Sequence, residues 1–175
     1  FIAMLGLLAS LHQQTAGRAF RLTWLFAMAM NLPSLWWIHV SMTQFGGISL
    51  PVAFVLVAML CAYLSLYPAI AAALLNRFFP KAGATRLLLA FPALWLLSDW
   101  AMGHVMTGFP WMWLGYSQVH TWLSGFAPLF GVQSITLAVV WCAAACLLYW
   151  QQRRILWLLL PPLLFVTGYG LQQKV

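Results

Sequence analysis

The chain has 175 residues, 65% of them hydrophobic and 5% charged, with a formal net charge of +7. About a quarter of an ordinary soluble domain is charged, so this composition excludes a water-facing globule and points to a bilayer as the solvent. The basic residues fall in short clusters between apolar runs, Arg18 with Arg21, Arg77 with Lys81 and Arg86, Arg153 with Arg154, which is the pattern of membrane topology and not of a groove for nucleic acid phosphates.

A span needs about 20 apolar residues at a rise of 1.5 Å each. On that ruler six segments qualify as candidates, which predicts an all-α polytopic bundle. The first, 1–12, is short and reads as the tail of a truncated span, so the sequence is expected to be a piece of a longer protein. Residues 13–21 read as a polar loop. The second span, 22–40, is interrupted by Asn31 and Pro33, whose polar or freed backbone groups call for partners on neighbouring helices. It ends in Trp36, Trp37 and His39, rings suited to a membrane interface. Residues 41–50, with Gln44 and the Gly46-Gly47 pair, read as a turn-bearing loop.

The third span, 51–75, opens on Pro51 and carries Pro68 as an expected kink. A basic loop over 76–86 leads to the fourth, 87–105. The fifth, 129–150, and the sixth, 155–171, flank a third basic loop, and Pro161-Pro162 are expected to break the sixth. Seven of the eight basic residues lie in alternate loops, while the opposite set of loops and ends holds Lys174 alone. Under the positive-inside rule the basic loops face the cytoplasm, which puts residues 36–39 and the stretch after the fourth span together on the outer side.

That stretch, 99–128, gathers the unusual residues. Asp99 is the single acidic residue of the chain, placed about 18 Å along its span at 1.5 Å per residue. A carboxylate there needs a partner or water; Met102 and Gly103, one turn on, offer none, which leaves His104, His39 or a water-filled cleft. In Thr107-Gly108-Phe109-Pro110-Trp111 the proline excludes helical geometry at Phe109, so the chain turns. Trp111, Trp113, Tyr116 and Trp122 then run along the headgroup level beside Ser117, Gln118 and His120. An aromatic belt that merely anchors the protein is one reading; a lipid headgroup site is the other, since hydrogen-bonding side chains accompany the rings.

Other chemistries find little support. The four histidines lack His-x3-His spacing, so no metal site and no cofactor is expected. Cys61, Cys142 and Cys146 sit in apolar runs as small packing residues. With no Glu and both lysines in loops, the chain holds no candidate nucleophile and base. A small transporter or channel is the rival class, favoured by helix prolines and an intramembrane Asp; a polar constellation gathered at one face, with no internal repeat, disfavours it.

Several strings in order, Leu35-Trp36-Trp37-Ile38-His39-Val40-Ser41, Gln44-Phe45-Gly46-Gly47, Ala62-Tyr63-Leu64-Ser65-Leu66-Tyr67, Pro92-Ala93-Leu94-Trp95 and above all Thr107-Gly108-Phe109-Pro110-Trp111 with Gly115-Tyr116-Ser117-Gln118, closely resemble the membrane domain of bacterial apolipoprotein N-acyltransferases. The resemblance implies a multi-pass enzyme of the bacterial inner membrane. It would move an acyl chain from a phospholipid to the free amino group of a diacylglyceryl-modified lipoprotein cysteine, through a thioester on a Glu-Lys-Cys triad in a nitrilase-like domain. That triad has no place in 1–175, so this portion alone should be inactive. Relatives usually carry an Arg three positions after the acid; here Met102 stands there, so Asp99 needs another partner. The residues expected to face lipid are Trp36, His39, Gln44, Asp99, Phe109, Trp111, Tyr116, Ser117 and Gln118.

Overall fold

A computed structural model describes residues 1–173, which holds every expected feature except Lys174. Among the described residues there are helices and turns and no strand. The main elements are α1 (Ile2–Ser10), α2 (Ala16–Leu35), α3 (Ile38–Gln44), α4 (Leu50–Phe78), α5 (Phe91–His104), α6 (Ala127–Phe130), α7 (Val132–Gln152) and α8 (Leu160–Gln172).

Four helical stretches are long and apolar enough to cross a membrane: Leu50–Phe78, Arg86–Thr107, Val132–Gln152 and Ile155–Gln172. They correspond to the expected third to sixth spans. Helix α1, at 9 residues, is too short. Helix α2 has the length, 20 residues, but Arg18, Arg21, Thr23, Asn31 and Ser34 dilute its apolarity. It is nevertheless packed along α4.

Several expected boundaries move, each for a local reason. Thr15 caps α2 by accepting a hydrogen bond from the Arg18 N–H, so Arg18 and Arg21 lie in helix instead of a loop. The second span stops at Trp36, and 41–44 of the expected loop 41–50 belong to helix α3; the turn itself is at Gly47, whose φ of +63° suits glycine. Neither Pro33 nor Pro68 ends its helix. Pro161-Pro162 do not break the last span either: a 3-10 turn over 155–159 precedes them and they occupy the first turn of α8, where a missing N–H costs nothing.

The entry to α5 shows how a proline can serve packing. Pro92 has no N–H for the carbonyl of Leu88, four residues earlier. The preceding turn, Arg86–Ala90, is π-helical, and the Leu88 carbonyl instead accepts the indole N–H of Trp141 on α7 at 2.9 Å. Helix α5 is thereby tied to α7.

Helix α7 is the central post, the most buried of the four spans, and α8 is the least. Its buried face, Val140, Ala144 and Leu148, packs with Leu7 and Leu11 of the α1 region, Leu75 of α4 and Phe91 and Trp95 of α5. A second cluster joins Leu35, Val57, Cys61, Leu64 and Met102 across α2, α4 and α5. The amide of Asn31 donates to Ser65 Oγ at 3.1 Å, and the Trp24 indole donates to the Ala62 carbonyl at 3.1 Å, so α2 and α4 are fastened by two polar contacts inside an apolar seam. Cys61, Cys142 and Cys146 are free thiols within these helices.

At the end where α1 and α4 finish and α5 begins, Arg86 is not a loop residue but a buried one, 6% exposed. Its guanidinium donates to the carbonyls of Phe79 and Leu11 and to Asn76 Oδ1, closing the ends of α1 and α4.

Candidate functional site

The connection from α5 to α7 is not an open loop. It is a chain of 3-10 turns, 105–107, 110–112, 114–118 and 122–126, followed by α6. Gly108 makes the first reversal possible: at φ +77° it lies against the Gly103 carbonyl so closely that a Cβ would overlap it. The Phe109 N–H then donates to the Met102 carbonyl at 2.7 Å, folding the chain back along α5. Gly115 lies against the backbone of Val132, with its N–H bonded to Thr136 Oγ1 at 2.9 Å, which seats the turn 114–118 on α7.

Folding back in this way roofs a cavity of about 650 Å³ between α1, α2, α4 and α5. The turns contribute Trp111, Met112, Trp113, Leu114, Tyr116, Ser117 and Gln118 to its lining, and the helices contribute Met4, Phe26, Asn31, Ser34, Leu64, Pro68, Trp95, Asp99 and Met102, with Phe1 before α1. Trp111 and Tyr116 are exposed, and so are Phe1 and Met30, so the cavity meets its surroundings at the turns and also beside α1 and α2. Pro68 has no N–H for the Leu64 carbonyl, and both residues line the wall.

Of the residues expected to face lipid, the cavity brings together Asp99, Trp111, Tyr116, Ser117 and Gln118. Phe109 stands behind the wall, packed among Leu35 and Met102 and edge-on to Trp111 at 5.0 Å. Trp36 and His39 do not reach the cavity. They form a separate ring cluster with Phe54, stacked on Trp36 at 4.8 Å and tilted against His39 at 5.1 Å. Gln44 ends α3, exposed and outside the cavity lining.

Asp99 is 5% exposed and its Oδ2 has no hydrogen-bond partner. Neither histidine proposed for it serves: His104 stacks on Trp100 at 4.8 Å and bonds that residue's carbonyl, and His39 bonds the Trp36 carbonyl. Asp99 is among the residues lining the cleft, with Oδ2 itself enclosed. One turn earlier on the same helix face, the indole N–H of Trp95 is also buried and unpartnered.

Two members of the site escape a sequence reading that treats tryptophans as a belt. Trp113 donates to the Asp99 carbonyl at 2.9 Å, lies parallel to Tyr116 with ring centres 6.1 Å apart, and rests on Gly103, where a Cβ would meet its ring at 2.7 Å. Trp95 was legible as the residue four positions before Asp99, on the same face of α5. Among the described residues no group of three or more His, Cys, Asp or Glu is placed to hold a metal.

Comparison with known proteins gives a consistent result. A family model for the apolipoprotein N-acyltransferase N-terminal domain matches residues 1–145. A curated apolipoprotein N-acyltransferase of Vibrio cholerae is 45% identical over 166 residues, 95% of this chain and 33% of the relative. Those of Shewanella oneidensis and Chromobacterium violaceum are 40% and 42% identical, over 76% and 81% of this chain and 26% and 27% of theirs. The chain thus spans about a third of the length of the curated relatives it matches.

Proposed function

Because the chain belongs to the apolipoprotein N-acyltransferase family, we propose that it is the membrane domain of an enzyme that N-acylates the diacylglyceryl-cysteine terminus of lipoproteins with phospholipid as acyl donor. The domain extends over 1–175, with the less apolar α2 and the short segment containing α1 as further spans beside the four long ones. Its basic loops face the cytoplasm of a bacterial inner membrane and the aromatic turns face the periplasm. The chain has no Glu, so the Glu-Lys-Cys chemistry belongs to a nitrilase-like part of the full-length protein lying above the aromatic turns.

The observation that carries this reading is the cavity. Its lining sets apolar side chains, Met4, Phe26, Leu64 and Met102, beside the aromatic and hydrogen-bonding Trp111, Tyr116, Ser117 and Gln118, with Asn31, Ser34 and Asp99 as further polar members. That mixture matches a lipid: apolar side chains for an acyl chain, aromatic and hydrogen-bonding turns for a headgroup. Holding a reacting headgroup still beneath a catalytic domain supplies several kcal/mol of barrier lowering through positioning alone, about 7 or more in well-oriented systems. Trp36 and His39, with Gln44 at the end of the same short helix, act as an interfacial rim beside the mouth.

The test is acyl transfer by the full-length protein in proteoliposomes, read by mass spectrometry of a diacylglyceryl lipopeptide. Alanine at Trp111, Tyr116 and Gln118 together is expected to lower turnover by about tenfold or more, the order of a lost positioning contact. Unchanged donor KM and turnover in that triple variant would overturn the lipid-site assignment.

A further inference from the structure

A second cavity, of about 380 Å³, opens at the other end of α5, between the end of α4 and the helical turn that leads into α5. Among its lining residues are Phe78, Phe79, Lys81, Gly83, Thr85 and Arg86. Both charged side chains in that lining are cations.

Arg86 is 6% exposed, and its guanidinium donates to the carbonyls of Phe79 and Leu11 and to Asn76 Oδ1. Those contacts hold the group in place, but a guanidinium has five N–H donors and all three acceptors are uncharged. The single acidic side chain of the chain, Asp99, stands about 20 Å further along the helix at 1.5 Å per residue and lines the other cavity. Arg86 is thus a buried cation with no carboxylate side chain of the protein beside it, a costly arrangement unless an anion arrives from outside.

The surroundings call for the same class of guest. The helix that runs into α5 makes its first backbone hydrogen bond from the Leu87 N–H to the Gly83 carbonyl, at 3.2 Å, and no side chain caps it. The N–H groups of Ala84, Thr85 and Arg86 are its open donors, and the positive end of the helix dipole favours an anion there. Lys81 and the Thr85 hydroxyl are exposed at the same turn, ready to donate to it. Leu50–Phe78 and Arg86–Thr107 are both long and apolar enough to cross a membrane, so the cavity between them lies where two spans leave the bilayer. Phe78 and Phe79 are exposed beside it, apolar rings next to a cluster of donors.

We infer that this cavity binds the phosphate of an anionic phospholipid at the membrane face opposite the aromatic turns. Lys81, Thr85 and the open N–H groups contact the phosphate, and Arg86 supplies buried positive charge behind them. With no acidic group in the lining, a headgroup of net negative charge is preferred over a zwitterion. Inorganic phosphate shares the recognised chemistry; the exposed rings favour the lipid. The site is apart from the acyl-transfer cavity and does not rest on the enzymatic reading.

The test is a footprint at Lys81. The full-length protein in detergent is acetylated with an amine-reactive ester in the presence of dioctanoyl phosphatidylglycerol, dioctanoyl phosphatidylcholine or inorganic phosphate, and modification of Lys81 is mapped by peptide mass. Phosphatidylglycerol is expected to protect Lys81 at a concentration about tenfold lower than either of the others. Equal protection by the two lipids, or none by any probe, overturns the inference. Protection by inorganic phosphate as efficient as by phosphatidylglycerol overturns the lipid as occupant and leaves a soluble phosphate in its place.

Thr85→Val keeps every charge, so it separates a built site from a merely basic surface. Half-protection should require about fivefold more phosphatidylglycerol, the effect of one lost hydrogen bond; an unchanged requirement overturns the inference. Lys81→Gln, read by native mass spectrometry of bound phosphatidylglycerol, should weaken binding by a similar factor, the effect of one basic residue near an anionic headgroup. Both side chains are exposed, so the thermal unfolding midpoint without added lipid should match wild type, and should either variant fail to fold, the wild-type footprint still decides.

Discussion

The two ends of the bundle each bury a charged residue, to nearly the same depth and with opposite outcomes. Arg86 and Asp99 are 6% and 5% exposed. At the basic end, Arg86 donates to Phe79, Leu11 and Asn76, and Asn76 in turn donates to the carbonyls of Leu11 and Gln14, both at 3.0 Å. The polar groups there close on one another and cap two helix ends. At the aromatic end Asp99 Oδ2 and Trp95 Nε1 have no partner, and both residues are among those lining the cavity. Depth of burial alone does not tell these two charged residues apart. What separates them is whether the chain itself supplies the partners.

The comparison breaks most visibly by removing one charge from each end. Arg86→Met leaves the buried Asn76 Oδ1 and the part-buried Phe79 carbonyl without that donor, a loss expected to cost about 1–3 kcal/mol for the buried acceptor. The thermal unfolding midpoint of the full-length protein in nanodiscs should fall by many degrees. In Asp99→Asn, Oδ2 has no hydrogen bond to lose, so the same measurement should fall by less than for Arg86→Met. The reverse ranking would show that Asp99, not Arg86, holds the helices together.

A smaller effect comes from the backbone that builds the roof. Gly108→Ala forces a Cβ onto the Gly103 carbonyl at a left-handed φ of +77°, and neither backbone segment can yield without reopening the turn. About 1–3 kcal/mol of destabilisation is expected, with loss of acyl-transfer activity in the same variant. Gly170→Ala is the matched control, since nothing lies within 4 Å of its Cβ position; it should match wild type in both assays.

These residues also mark how much was legible beforehand. Four of the six expected spans and the turn at Gly108 follow from hydropathy and from what Gly and Pro permit, and they are present. Asn31 was expected to find a partner on a neighbouring helix, and Ser65 of α4 is that partner. Arg86 was read as a loop charge because positive clusters between apolar runs look alike whether they face water or cap carbonyls; its partners Leu11 and Asn76 are 75 and 10 residues away, a relation no local pattern carries. The site divides in the same way. Asp99 and residues 111–118 share a cavity because the chain folds back at Gly108, whereas Trp36 and His39, equally aromatic in sequence, are held by Phe54 in a cluster of their own. Trp113 reads as one more belt residue until Gly103 is seen beneath it.

Trp113→Phe sharpens the aromatic end further. The ring still fits over Gly103 and beside Tyr116, but the hydrogen bond to the Asp99 carbonyl is lost, worth about 0.6–1.7 kcal/mol inside a membrane protein. Stability should drop by no more than that, and donor KM should rise modestly as the roof loosens from α5. A drop the size of the Arg86 effect would mean that Trp113 is a structural pillar and the roof has no freedom to admit a ligand.

The smallest effect is expected where the aromatic residues are most conspicuous. His39→Ala leaves Trp36 stacked on Phe54 at 4.8 Å, and His39 makes its one side-chain hydrogen bond to the carbonyl of Trp36 on its own turn. No group on another helix loses a partner, so stability should change by less than about 0.5 kcal/mol. Because His39 stands outside the cavity lining, donor KM should move by less than about twofold, within the scatter of a surface substitution. A larger shift in KM with unchanged stability would place the lipid across both ring clusters, and the site would then have to be redrawn to run from Trp111 over α4 to Trp36.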